Sequence, residues 1–430
     1  MPCDILLWNL IWFVLSALFK ENVVTSSMSF VVIIILLLLA CATYGIFKTI
    51  SHPAFITSFL WFCILLIYQT VDHGLYALSD KLYGVLLLWN IGFCFSSLAI
   101  CYVRFPIFVN WRYERYNSAM KVLLPIFIIS LLIAIYGLYI KGNYYNSDNI
   151  FRGIRESSVL AMEGEDDFQY PMYVTFAMAV VGQSVAVLIS LLYVGKKKNL
   201  FVIIYACLVL LFFVMRSNKY AMAQLLLAFL AISSYNNTLS KRKFFVYLVC
   251  FLGLMLTVHL LRAGDGYEFD FVKFISVYFL APLPAFDNVL NTHIDYISDF
   301  HGEYTLRFII PFLQTLGFSV EGNPDPFNLH NWTYTPLPVN VYTIMFSYYV
   351  DWGYWGRIVF SILLGTFWGG IWKGMEKGYK VALVIYSSFF YMLVFQFFAD
   401  FFFQYFWVTF QTILFALFLF FSKNTCKNRI

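Results

Sequence analysis

Long apolar runs separated by short polar breaks fill most of this chain. A helix needs about 20 predominantly apolar residues to cross a bilayer. The runs Ile5–Phe19, Phe30–Phe47, Phe55–Tyr68, Tyr83–Val103, Val122–Ile140, Met172–Val194, Leu200–Met215, Tyr220–Tyr235, Phe244–Leu261, Ile358–Trp372, Val381–Ala399 and Phe402–Phe421 supply candidates, several of them short. They predict an all-α polytopic membrane protein of about 12 transmembrane helices, since only a helix or a closed barrel satisfies its backbone polar groups inside lipid. The first run has no basic leader and no A-x-A cleavage site, so it reads as a retained span.

One long stretch, residues 262–355, breaks the pattern with RAGDGYEFDFVKF, NTHIDYISDFHGEYTLRF and EGNPDPFNLHNWTYTPLPVNVYTIMFSYYVDWGYWGR. It carries carboxylates, histidines, arginines and many Tyr and Trp rings. An odd number of crossings must separate Arg262 from Lys373 if they lie on opposite sides. Ile358–Trp372 supplies one crossing, leaving Asn340–Tyr349 as a re-entrant or interfacial helix. Pro336 and Pro338 stop any helix upstream, Asn340 can cap the new one, and Gly353 and Gly356 allow close packing. A purely structural cap and turn explains the same residues.

Basic clusters set the orientation. Arg104, Arg112, Arg115 and Lys121 group together, as do Lys196–Lys198, Lys241–Lys243, Lys373–Lys380 and Lys423–Arg429. The positive-inside rule makes these loops and both termini cytoplasmic. Residues 141–171 and 262–355 then become two outward loops of a single integral membrane domain covering residues 1–430. With 61% hydrophobic and 12% charged residues and a mean hydropathy of +0.76, a soluble protein is excluded. The net charge of +5 is a topology signature, not a sign of nucleic-acid binding. The eight cysteines fall in spans or cytoplasmic segments, so no disulfide framework and no cysteine metal site is expected.

The outward cations are the candidate chemistry, because outward basic residues run against the inside bias. Arg152 and Arg155 share a face at i, i+3 if FRGIRESS is helical, and two guanidinium groups there fit one phosphate. The alternative is a solvated loop in which they pair with the following acidic run EGEDD, whose own spacing suits no metal. Arg216 and Lys219 lie in a four-residue turn between two spans, on one face if the helix continues through them, and Arg262 ends the next outward span above His259. Arg216, Lys219 and Arg262 suit a pyrophosphate, with snorkelling to lipid headgroups as the plainer reading.

Pro338, Asn340 and Thr343, followed by Asp351, Gly353 and Gly356 entering a span, form P-x-N-x-x-T and D-x-G-x-x-G. This arrangement resembles the Wzy-type O-antigen polymerases, the oligosaccharide repeat-unit polymerases of the bacterial inner membrane. The span number, short cytoplasmic loops and large late outward loop are similar to that family and to its relatives, the O-antigen ligases. Asn340 stands where the ligase pattern has a histidine, which argues against a ligase.

The resemblance implies a metal-independent, cofactor-free glycosyltransferase of the GT-C type. It would act on undecaprenyl-pyrophosphate-linked oligosaccharide at the periplasmic face, among membrane lipids, and possess a Wzz-type chain-length regulator as a potential partner. Arg216, Lys219 and Arg262 are the expected contacts of the leaving pyrophosphate, with Arg152, Arg155 and Arg307 as second contributors and Asn340, Tyr342 and Thr343 as further substrate contacts. Asp265 and Asp351 rank ahead of His330 and His259 as the base. Tyr267, Trp332, Tyr334, Tyr342, Trp352 and Trp355 offer sugar-stacking faces, although interfacial aromatic belts produce such rings too. A lipid-linked oligosaccharide flippase shares the substrate but calls for paired repeats and a charged central path.

Overall fold

The structure, a computed structural model, describes residues 27–103, 116–163, 165–194, 200–216, 219–236, 238–262, 269–292, 302–319 and 333–420. The described chain is almost entirely helical. Among the described residues, six helices are long and apolar enough to cross a membrane: Met28–Phe47, Pro53–Thr70, Asp80–Tyr102, Ala119–Tyr145, Met345–Glu376 and Lys380–Phe397. A seventh follows if Met172–Val181 and Ser184–Val194, bent by 48° at their junction, form one broken span. Leu200–Met215, Met222–Tyr235, Phe271–Leu280 and Phe406–Phe420 are apolar but shorter, and Lys241–Arg262 is a helix of 22 residues. The Ile5–Phe19 run lies outside the described residues.

The chain divides into two compact units. The first contains Met1–Tyr102, Glu268–Gly370 and Met392–Gln404. Here Asp80–Tyr102 meets the Met345–Glu376 helix through small residues: a Cβ added to Gly369 lies only 2.5 Å from the Ser97 carbonyl oxygen. Such backbone approach is how helices associate where lipid removes the hydrophobic drive between them. Gln396 cross-links the same unit, donating to Thr57 Oγ1 at 2.9 Å, accepting from Trp89 Nε1 at 3.3 Å, and taking the Ile344 N–H on its backbone oxygen at 2.8 Å.

The stretch 262–355 is not wholly a polar loop. Phe271–Leu280 and Pro282–Thr292 are helices, and Leu280, Leu283, Phe286 and Leu290 are fully buried. Asp287 holds this pair in place, accepting the Ser79 N–H at 2.7 Å and the Ser79 hydroxyl at 2.5 Å.

The second unit contains Val103–Tyr267, Ile371–Tyr391 and Tyr405–Ile430. The Tyr116–Tyr145 helix packs on Ile150–Glu163, Met172–Val181 and Leu200–Met215. Polar side chains supply cross-links: Tyr116 donates to the Ser190 carbonyl at 2.7 Å, Gln224 to that of Ser388 at 2.8 Å, and Thr412 to Gln183 Oε1 at 2.5 Å.

Contacts inside each unit keep the loops in two sets. Ser79 meets Asp287, and Thr343 and Asp400 line one cleft. The Arg216 charge reaches Tyr170. All six positions share the outward assignment. Tyr235 instead reaches the Met375 carbonyl, and Lys373 that of Val103, all four assigned inward.

Candidate functional site

The first unit builds a narrow polar cleft where two interrupted helices come together. One interruption follows Lys380–Phe397: the chain unwinds through Phe398 and Ala399 before the short helix Phe401–Gln404. The other precedes Met345, where a two-stranded ladder of Thr333–Tyr334 with Pro338–Val339 gives way to irregular backbone. Pro338 suits this ladder because its missing N–H is harmless at an edge. The helix therefore starts at Met345, not at Asn340, and Asn340 does not cap it.

Tyr342, Thr343, Phe346, Ser347, Ala399, Asp400 and Gln404 line the cleft. It holds about 230 Å³ of unoccupied space open to solvent, but only about 10 Å³ admits the centre of a water-sized molecule. That is room for one water or one hydroxyl group, not for a sugar ring. Tyr342 is buried with its ring stacked on Phe346 at 4.2 Å, so it walls the cleft and offers no open stacking face. Tyr334, Trp352 and Trp355 keep exposed rings.

Asp400 is the carboxylate of the cleft. Its side chain is buried, and Oδ1 accepts the backbone N–H of Phe402 at 3.1 Å and of Phe403 at 3.3 Å, capping the short helix. Burial pushes the carboxyl up to about 7. The N–H bonds, the Tyr348 hydroxyl beside it and the Arg307 charge pull the other way without restoring an ordinary carboxylate value. A neighbouring polar atom, Thr343 Oγ1, is buried without a hydrogen-bond partner. The Tyr348 hydroxyl lies beside the Asp400 carboxylate and interacts with it.

Asp351 has a different task. Fully buried, its carboxylate accepts the Tyr304 N–H at 3.1 Å and the Thr305 N–H at 2.6 Å, and Thr305 Oγ1 donates to the Ser347 carbonyl at 3.3 Å. These bonds fix the backbone just ahead of Arg307, which opens a turn of 3-10 helix. The Arg357 guanidinium is stacked against Tyr349 and Tyr354, at 4.7 and 4.8 Å from their ring centres, with Nε and Nη1 buried and unbonded. Between them Gly353 breaks the helix at φ 61°, ψ −145°, a conformation open only to glycine.

In the second unit, Ile150–Glu163 is helical, so Arg152 and Arg155 do share a face. Arg152 is largely exposed and paired with Glu156 at 3.0 Å. Asp166, from the acidic run, accepts from Lys141 at 2.6 Å and from the Tyr145 hydroxyl. Arg216 is exposed in a turn after Met215, and the next helix begins at Lys219. Asp265, His330, Tyr267 and Trp332 lie outside the described residues, as do the side chains of Lys219 and Arg262.

Sequence reasoning brought Thr343, Tyr342 and Arg307 toward one site and missed Asp400. The available signal was a carboxylate interrupting VFQFFADFFFQYF, where an apolar run carries its only charge. No family model, no curated protein and no solved structure matches this chain.

Proposed function

We propose that this chain is a glycosyltransferase of the bacterial inner membrane that polymerises undecaprenyl-pyrophosphate-linked polysaccharide repeat units on the periplasmic face. A twelve-span path of the GT-C type with both termini cytoplasmic is part of that proposal. The observation that carries it is the cleft joining Tyr342 and Thr343 of the P-x-N-x-x-T segment to Asp400, with the Arg307 charge in reach. Glycosyl transfer from a pyrophosphate donor needs a group that accepts a proton from the incoming hydroxyl and cations that stabilise the leaving charge. The cleft offers the first and Arg307 a candidate for the second.

Sidedness supports the same reading. Every residue of the cleft belongs to the set of loops opposite the lysines at 373, 377 and 380. By the positive-inside rule that set faces out of the cytoplasm. In the second unit, Arg216 follows one helix and Arg262 ends another in the same set, and both are proposed to contact the pyrophosphate of the lipid-linked substrate.

The deciding experiment is the polysaccharide ladder of a strain lacking this chain. A polymerase loss leaves single-repeat molecules, a ligase or flippase loss leaves none, and an unchanged ladder overturns the class.

A further inference from the structure

We infer that Asp400 is the general base of the cleft, taking the proton of an acceptor sugar hydroxyl that enters against Thr343. The inference rests on the glycosyl-transfer reading above. Three observations converge on it. The cleft is sized for a hydroxyl, so an acceptor ring would stay outside and insert only its reacting group. Thr343 Oγ1 is buried without a partner, and an unmet buried polar group costs about 1–3 kcal/mol. An inserted hydroxyl would give Thr343 a partner. The capping bonds to Phe402 and Phe403 both fall on Oδ1, so neither amide occupies Oδ2.

Other carboxylates fit less well. Asp351 is engaged by two backbone N–H groups and lines no part of the cleft. Among the described residues, the titratable and charged groups facing Asp400 are Tyr348, Arg307 and, across the cleft, Tyr342. Burial outweighs the Arg307 charge and holds the carboxyl near neutrality, where a base is both available and strong enough to take a proton.

The proposed step balances. The acceptor oxygen bonds to the donor anomeric carbon as its proton passes to Asp400, and the bond from that carbon to pyrophosphate oxygen breaks. The leaving electron pair stays on the lipid pyrophosphate, and Asp400 later returns its proton to solvent.

A mere helix cap and a catalytic base predict opposite behaviour. The raised carboxyl pKa means that ionising Asp400 in the fold is unfavourable: the penalty is absent below its ordinary value of 3.8 and complete above about 7. Asp400→Asn keeps an oxygen for the cap and removes that penalty. Purified protein in nanodiscs, given lipid-linked repeat units extracted from a strain lacking the chain, should show wild-type turnover rising with pH to a plateau above about 7. Asp400→Asn should lower turnover about 10²- to 10⁴-fold, still retain bound substrate, and melt at or above the wild-type temperature at pH 8. Asp400→Glu should recover part of the rate.

If wild type elongates chains while Asp400→Asn does so equally well, Asp400 is not the base and the glycosyl-transfer reading stands. If Asp400→Asn fails to fold, the wild-type pH profile decides: a flat profile between about pH 5 and about pH 9 overturns the assignment. Wild-type protein that adds no repeat unit overturns both.

Discussion

The carboxylate of Asp351 and the backbone N–H of Thr305 lie 2.6 Å apart, a charge-assisted bond across 46 residues of chain. With the Tyr304 N–H on the same carboxylate, this bond sets the backbone that presents Arg307. Asp351→Asn keeps an acceptor for one N–H but turns an NH₂ group toward the other. The variant should lose about 1.5–3 kcal/mol, read as a lower melting temperature and less folded protein recovered from membranes. An inactive variant with wild-type melting would instead give Asp351 a direct part in turnover.

Arg357 is a buried guanidinium held by rings. Cation–π contacts are worth about 0.5–2 kcal/mol, whereas an uncompensated buried charge is costly. Arg357→Met should therefore melt at or above the wild-type temperature, while Tyr349→Leu and Tyr354→Leu should each melt lower because they strip the charge of a ring. Collapse of the Arg357→Met protein would show that the guanidinium makes a stabilising bond beyond its two rings.

The membrane class and most helix positions were legible in the sequence because apolar run length is nearly the whole constraint in a bilayer. Leu200–Met215 coincides with its helix, and Phe30–Phe47, Tyr83–Val103 and Phe244–Leu261 fall within a few residues of theirs. Phe271–Thr292 was hidden because Lys273, Pro282, Pro284 and Asp287 interrupt its apolar positions. The cleft was half legible. Thr343 belongs to a recognisable spacing, but Asp400 sits 57 residues downstream, and only folding brings the two together.

Lys141 and Asp166 make the loop 165–170 sensitive to acid. Burial alone raises the Asp166 pKa, but Lys141, Tyr145 and the Phe168 N–H more than reverse this and hold it below its ordinary value. The stabilisation is present above that ordinary value and is lost as pH falls through the lowered one. Hydrogen exchange at the Phe168 amide should stay slow at neutral pH and accelerate in strong acid beyond the intrinsic pH trend, with Lys141→Met fast at both. Equal protection in Lys141→Met at neutral pH would show that the pair does not hold the loop.

Sidedness can be read with single cysteines in a cysteine-free background. A cysteine at Asn236 should react with impermeant maleimide only after the cytoplasmic side is opened, and one at the exposed Tyr334 should react in intact spheroplasts. Reversed labelling would put the cleft in the cytoplasm and end the polymerase proposal.

Loss of a charge-assisted phosphate contact costs about 1.5–3 kcal/mol. Arg216→Ala and Arg262→Ala should thus each shorten or abolish polymer at unchanged protein level, and lysine should rescue only in part. Arg152→Ala, which removes an exposed i, i+4 pair, should leave chain length near wild type. Normal polymer in both Arg216→Ala and Arg262→Ala would assign those cations to lipid headgroups alone.

Gly353 separates two angular registers within one continuous stretch of chain. In an unbroken helix, inserting a residue rotates everything beyond it by about 100°. The break at Gly353 cancels that coupling, so the segment Met345–Trp352 can change length or facing while Gly369 keeps its seat against Ser97. The cleft wall can therefore be retuned for a different acceptor without re-threading the span that carries it.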